Sequence, residues 1–177
     1  FRGGAVLLPV YVGFCAVELM FKVKIACVGK IKESFYREAV DEYVKRLGRF
    51  CDVRIVETAE CPVYKPCPTD GETAKVRKAE AAGLLAAMEG FCVCLDIGGA
   101  EMSSERFAEQ LRRIKDISPV VTFVIGGSYG MDDSVKNACK LKLSFGRMTY
   151  PHQLMRVVLC EQIYRAFMID SGSAYHK

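Results

Sequence analysis

From Met20 onward the chain alternates between two hydrophobic periods. Phe21, Val23, Ile25 and Cys27 occupy every second position around Lys22, Lys24 and Ala26, the pattern of a strand, and Gly29 ends it. Over residues 34–50, Phe35, Ala39, Val40, Tyr43, Val44 and Leu47 recur at helical spacing, with Arg37, Glu38, Glu42, Lys45 and Arg46 covering the rest. Residues 53–56 predict a short second strand. Residues 58–73 carry Pro62, Pro66, Pro68 and Gly71 and read as a loop. Residues 72–89 are Ala-rich and helical. Residues 91–97 (FCVCLDI) form an unbroken apolar run, as expected of a central strand covered on both faces. A helix is predicted over 104–114 and a strand over 119–125, broken by Gly126-Gly127-Ser128-Tyr129-Gly130. Asp132 or Asp133 caps a short helix reaching about Lys140, and residues 141–149 are part strand. Pro151 suits the first position of a last helix carrying Leu154, Val157, Val158, Ile163, Tyr164 and Phe167, which Gly172 closes. Strands alternating with helices in this way predict an α/β domain with a mostly parallel sheet and helices on both faces.

Composition narrows the picture only modestly. At 177 residues with 51% apolar positions, the chain suits one domain with a real core. A net charge of +4 permits an RNA partner without demanding one. Nine cysteines, an odd number with no CxxC pair, point to a reducing compartment and to buried or idle thiols, so a cytoplasmic location is expected. There are only two histidines, His152 and His176, both far downstream, so no metal site is expected. Residues 1–19 are mostly apolar. Pro9 and Glu18 interrupt them, Gly3, Gly4 and Gly13 weaken any helix, and no signal-type cleavage pattern follows, so no membrane attachment is expected. They read as an N-terminal extension of doubtful origin, with the natural start expected at Met20.

Candidate chemistry gathers where strands end, because ligands of open α/β sheets bind beyond the carboxyl ends of the strands. Three such ends stand out: Leu95-Asp96-Ile97-Gly98-Gly99, the GGSYG segment 126–130, and Phe145-Gly146-Arg147-Met148-Thr149-Tyr150 leading into Pro151-His152. Glycines there let backbone approach a ligand closely. The GGSYG segment is neither a dinucleotide fingerprint nor a phosphate loop, and any tight strand-to-helix turn could use it. The last helix interleaves His152, Gln153, Arg156, Glu161, Gln162 and Arg165 with apolar residues. His152 and Arg156 are four apart, as are Glu161 and Arg165, which on periodicity alone describes a wet helix face with an ion pair.

Taken together, VKIACVGKIKESFYREAVDEYVKRL, LDIGG, FVIGGSYGM, LSFGRMTYPHQLMRVVLCEQIYRAF and the terminal AYHK resemble the ribosomal RNA large subunit methyltransferase H family of the SPOUT superfamily. The resemblance covers residues 20–177 as a single SPOUT methyltransferase domain and leaves residues 1–19 without counterpart. It implies an α/β fold whose C-terminal segment is threaded into a trefoil knot, which local sequence reasoning would have excluded. It implies S-adenosylmethionine as cofactor, a homodimer, and methylation of N3 of a pseudouridine in helix 69 of 23S rRNA within the assembled ribosome. By position, Leu95, Gly127, Phe145, Gly146, Arg147, Met148, Thr149 and Tyr150 would contact the cofactor. His152, Arg156, Glu161, Tyr175 and His176 would line the RNA side, the tail of one subunit reaching the other's cofactor pocket. His152 and His176 are candidate bases, Tyr175 could orient or stack on the nucleotide, and Arg156 could stabilise a developing anion or bind phosphate. Three alternatives stay open: a SPOUT methyltransferase acting on tRNA or another rRNA site, a non-catalytic RNA- or ribosome-binding module, and a membrane-attached protein using residues 1–19.

Overall fold

A computed structural model of the chain describes residues 20–63 and 67–173; the expectations for residues 1–19 and for Tyr175 and His176 lie outside them. Five strands alternate with five helices in chain order: β1 (Lys22–Val28), α1 (Ser34–Leu47), β2 (Asp52–Thr58), α2 (Asp70–Ala87), β3 (Phe91–Glu101), α3 (Ser104–Ile117), β4 (Val120–Ile125), α4 (Asp133–Ala138), β5 (Leu141–Ser144) and α5 (His152–Asp170). The sheet order is β2-β1-β4-β3-β5, and every pairing is parallel.

The two-residue period of the strands sorts their side chains onto opposite faces, and each face has its own helices. Val23, Ile25 and Cys27 of β1, Val121, Phe123 and Ile125 of β4, Val93 and Leu143 pack against α1, α3 and α5. The intervening positions, Ala26, Val28, Val124 and Cys94, pack against Ala81, Leu84 and Ala87 of α2 and Val135 of α4. All six residues of β4 are therefore buried, and five of them are apolar; the Thr122 hydroxyl donates to the Glu89 carbonyl. The layer of α1, α3 and α5 is held by aromatic side chains: Phe50 stacks on Phe167 at 5.3 Å, and Phe21 meets the same ring edge-on.

Local chemistry sets the helix ends. Thr69 and Glu72 form a reciprocal capping box, so α2 starts two residues earlier than its Ala-rich stretch suggests. Asp132 caps α4 through the Ser134 N–H, and Ser103 caps α3. Pro151 precedes α5 with extended backbone and is not its first helical residue. At the other end, the Ser173 N–H donates to Met168 and the Gly172 N–H to Ile169, closing α5 as the glycine there predicts. Phe35 departs from its expected inward face: it is 58% exposed, while Val40 and Leu47 carry the buried stripe of α1.

β3 holds the main surprise. It does not stop at Ile97. Both Leu95 and Ala100 pair with Leu143, so the ladder is interrupted and Asp96–Gly99 leaves the plane of pairing before the strand resumes. Gly99 permits the return, since a Cβ there would stand 2.7 Å from the Lys142 backbone. Alternation in the sequence gives no sign of this displacement, and it puts four residues at the end of the sheet where a ligand could lie.

Candidate active site

The three strand ends singled out in the sequence meet in one cavity of about 890 Å³, within the range of ligand pockets. The displaced β3 segment supplies Leu95, Asp96 and Ile97. The turn after β4 supplies Gly126 to Met131. The segment after β5 supplies Phe145, Gly146, Met148, Thr149 and Tyr150. Pro151, His152 and Met155 complete the wall from the start of α5.

Hydrogen bonds tie the three segments together. The Ser144 hydroxyl donates to the Ile97 carbonyl at 3.1 Å and accepts from the Gly146 N–H at 3.2 Å, joining the β5 end to the displaced part of β3. The Gly130 N–H returns to the Gly127 carbonyl at 3.0 Å, and Gly130 has φ +85°. The turn is so tight that a Cβ on Gly126 would lie 2.7 Å from the Gly130 carbonyl oxygen. Asp96 and Lys136 form an ion pair at 2.9 Å on the cavity wall. Burial alone would raise the Asp96 pKa, but Lys136 outweighs it and the carboxyl is held below the usual range.

His152 sits half-buried at the rim. Loss of water and the nearby Arg156 guanidinium push its pKa below the ordinary histidine value, Glu60 opposing and Lys32 adding to the shift. Burial and the guanidinium both favour the neutral imidazole. Arg156 is placed differently from the RNA-facing side chain expected of it. It is wholly buried, donating to the Val28 carbonyl at 2.7 Å, the Gly29 carbonyl at 2.8 Å and Glu57 Oε1 at 3.0 Å. It anchors the first turns of α5 to the ends of β1 and β2, one turn beyond His152.

Glu161 does not line the cavity. It accepts from Arg165 at 2.6 Å and from Gln162 at 2.6 Å further along α5. Arg147 belongs to the right segment but is not among the lining residues, whereas the other seven residues expected at the cofactor are. Ser128 and Tyr129 lie within the GGSYG segment that the sequence marks, whereas sequence reasoning missed Ile125, Met131, Lys136 and Met155. Ile125 and Met131 flank that turn. Lys136 reaches the cavity only through its long-range pairing with Asp96, which no spacing announces.

A family profile described as "Predicted SPOUT methyltransferase" matches residues 21–176. The ribosomal RNA large subunit methyltransferase H of Streptococcus equi subsp. zooepidemicus is 44% identical over 159 residues, covering 88% of this chain and 99% of the relative. This chain belongs to the ribosomal RNA large subunit methyltransferase H family of SPOUT methyltransferases. The family member from Lactobacillus acidophilus is 44% identical over 158 residues, again covering 88% of this chain and 99% of the relative. Among solved structures, the SpoU methyltransferase AviRb from Streptomyces viridochromogenes in complex with AdoMet aligns with a TM-score of 0.45 at 11% identity, over 84% of this chain and 59% of that one. Family membership fits the cavity. Its walls are apolar side chains and turn backbone, its two charged groups neutralise each other, and adenine and ribose are recognised by such surfaces. Among the described residues, no helix is long and apolar enough to cross a membrane, and no three His, Cys, Asp or Glu side chains cluster as metal ligands would.

Proposed function

We propose that this protein transfers a methyl group from S-adenosylmethionine to N3 of a pseudouridine in helix 69 of 23S rRNA, acting on the assembled ribosome as a cytoplasmic homodimer. The trefoil threading of residues beyond β4 belongs to the same reading. The observation that carries it is the convergence of the segments around Leu95, Gly127 and Met148 on one cavity beside His152. Names of the relatives point to large-subunit rRNA as the substrate.

When bound, S-adenosylmethionine supplies an electrophilic methyl carbon on a sulfonium, a good leaving group. The protein must then hold N3 in line with that carbon; such positioning supplies up to roughly 7–11 kcal/mol. The N3 proton must also leave. His152 lines the cavity at its rim, and with Asp96 already paired to Lys136 it is the candidate base among the described residues. Arg156 acts as a positioning residue, fixing the turn that carries His152. Tyr175 and His176 are expected from the second subunit's tail, with Glu161 on the RNA side of that composite site. Exposed Ile97, Met148 and Tyr150 rim the cavity and offer apolar surface to an unstacked base.

The test is incubation of the purified protein and labelled S-adenosylmethionine with 70S ribosomes, free 23S rRNA and bulk tRNA, followed by nucleoside mass spectrometry. Label in a single 23S pseudouridine from 70S ribosomes is expected. Label in tRNA would favour the tRNA alternative. Absence of both cofactor binding and transfer would leave a ribosome-binding module.

A further inference from the structure

A second cavity of about 350 Å³ shares Ser128 and Tyr129 with the first. Its character is opposite. It is lined by Lys32, Glu60 and Glu80 together with the loop at Cys61. Glu80 is only 5% exposed, an unusual state for a carboxylate. Its Oε1 accepts the Cys61 N–H at 3.1 Å. Its Oε2 takes no protein hydrogen bond among the described residues and lies against Gly127, where a Cβ would stand 2.7 Å from it. The glycine of the main cavity's turn is thus what allows this carboxylate to stand beside the junction of the two spaces. Burial raises the Glu80 pKa, and a cation placed beside it would reverse that shift. Glu60 packs over Gly29, and its pair with Lys32 is loose, at 3.8 Å.

Two carboxylates and one ammonium make a poor receptor for phosphate and a good one for a zwitterion with a leading positive end. A nucleoside in the main cavity leaves the charged end of an amino-acid-bearing cofactor without partners there, because Asp96 and Lys136 are already joined to each other. We propose that the second cavity is the subsite for the α-amino acid end of the cofactor, with Glu80 and Glu60 receiving its ammonium and Lys32 its carboxylate, past Ser128 and Tyr129. This rests on the cofactor reading above and adds to it residues that lie on α2 and in the loops after β1 and β2, outside the three strand-end segments.

The experiment is calorimetric titration of the full chain with S-adenosylmethionine, S-adenosylhomocysteine and 5′-methylthioadenosine, which lacks the amino acid end. Wild type, Glu80→Gln, Glu60→Gln and Lys32→Ala are compared after their folding is checked by circular dichroism. Wild type should bind the first two at least tenfold more tightly than the third. Glu80→Gln and Glu60→Gln should weaken both amino-acid-bearing ligands about tenfold and leave methylthioadenosine unchanged. Equal weakening of all three would mean that the carboxylates only support the fold and would overturn the assignment. Loss confined to S-adenosylmethionine would place them at the sulfonium and also overturn it. Unchanged variants on a wild type that binds all three would remove this subsite alone. A wild type that binds none would remove the cofactor reading itself, and the subsite with it. Because Glu60 is partly exposed, its variant tests the idea even if Glu80→Gln fails to fold.

Discussion

Replacing Arg156 with Ala should destabilise the protein by about 3–5 kcal/mol, because it strands two buried carbonyls and empties the volume of a wholly buried side chain, while half-exposed Glu57 loses its cation. The number follows from what the substitution leaves behind. Glu57 loses its 3.0 Å partner, and the Val28 and Gly29 carbonyls lose donors at 2.8 Å or less in a place water does not reach. Hydrogen bonds to charged groups contribute about 1.5–3 kcal/mol each, so three of them could exceed the range, but their losses overlap. A domain of this size is held by only about 5–15 kcal/mol in all. Urea unfolding followed by circular dichroism should show the midpoint falling without a change in slope. The melting temperature should drop by about 6–20 °C, taking roughly 2–4 °C per kcal/mol for a chain of this length. Arg156→Met with Glu57→Gln separates the two contributions. It removes the charge pair and fills the volume but still strands two carbonyls, so a loss of about 1–3 kcal/mol should remain. If Arg156→Ala loses less than about 1 kcal/mol while methyl transfer disappears, the guanidinium works on the substrate and the anchoring role is wrong.

Three further outcomes are expected. His152→Ala should slow single-turnover methylation by about 10²–10⁴-fold. In wild type the base form exists above the lowered His152 pKa and is lost as pH falls through it, so the acid limb should lie below pH 6.5 and vanish in the variant; an unchanged rate and limb would acquit His152. Gly127→Ala should lower S-adenosylmethionine affinity about tenfold or more, because its Cβ would press on the buried Glu80 carboxylate, and unaltered calorimetric binding would contradict the packing. Burial pushes the Cys27 thiol up to about 11 and those of Cys51 and Cys160 up to about 12, so alkylation at pH 8 should mark exposed Cys67 and spare these three until unfolding. Rapid labelling of Cys160 in folded protein would show that the core opens.

What could be read in the chain and what could not divide along a physical line. Period-2 and helical spacing reveal burial directly, so β1, α1, β4 and the order of elements were legible, and the glycines after β4 marked a turn that must come close to something. Pairing partners carry no such local mark. That β3 leaves its ladder after Leu95 and rejoins at Ala100 depends on β5 being its neighbour, and FCVCLDIGGAE shows nothing of it. Arg156 shows the same limit at one residue. On a helical wheel it shares a face with His152, and an arginine on a polar face reads as a solvent- or RNA-facing group. Its burial depends on two carbonyls from the end of β1 and a carboxylate from β2, about a hundred or more positions away in the chain. Glu80 repeats the case in an Ala-rich helix where a glutamate looks like ordinary solvation. The residues that sequence reading places least well here are charged groups whose partners arrive from other strands. Arg156 is one such group and acts directly on His152, which is why the electrostatics of the site had to come from the fold even though its location did not.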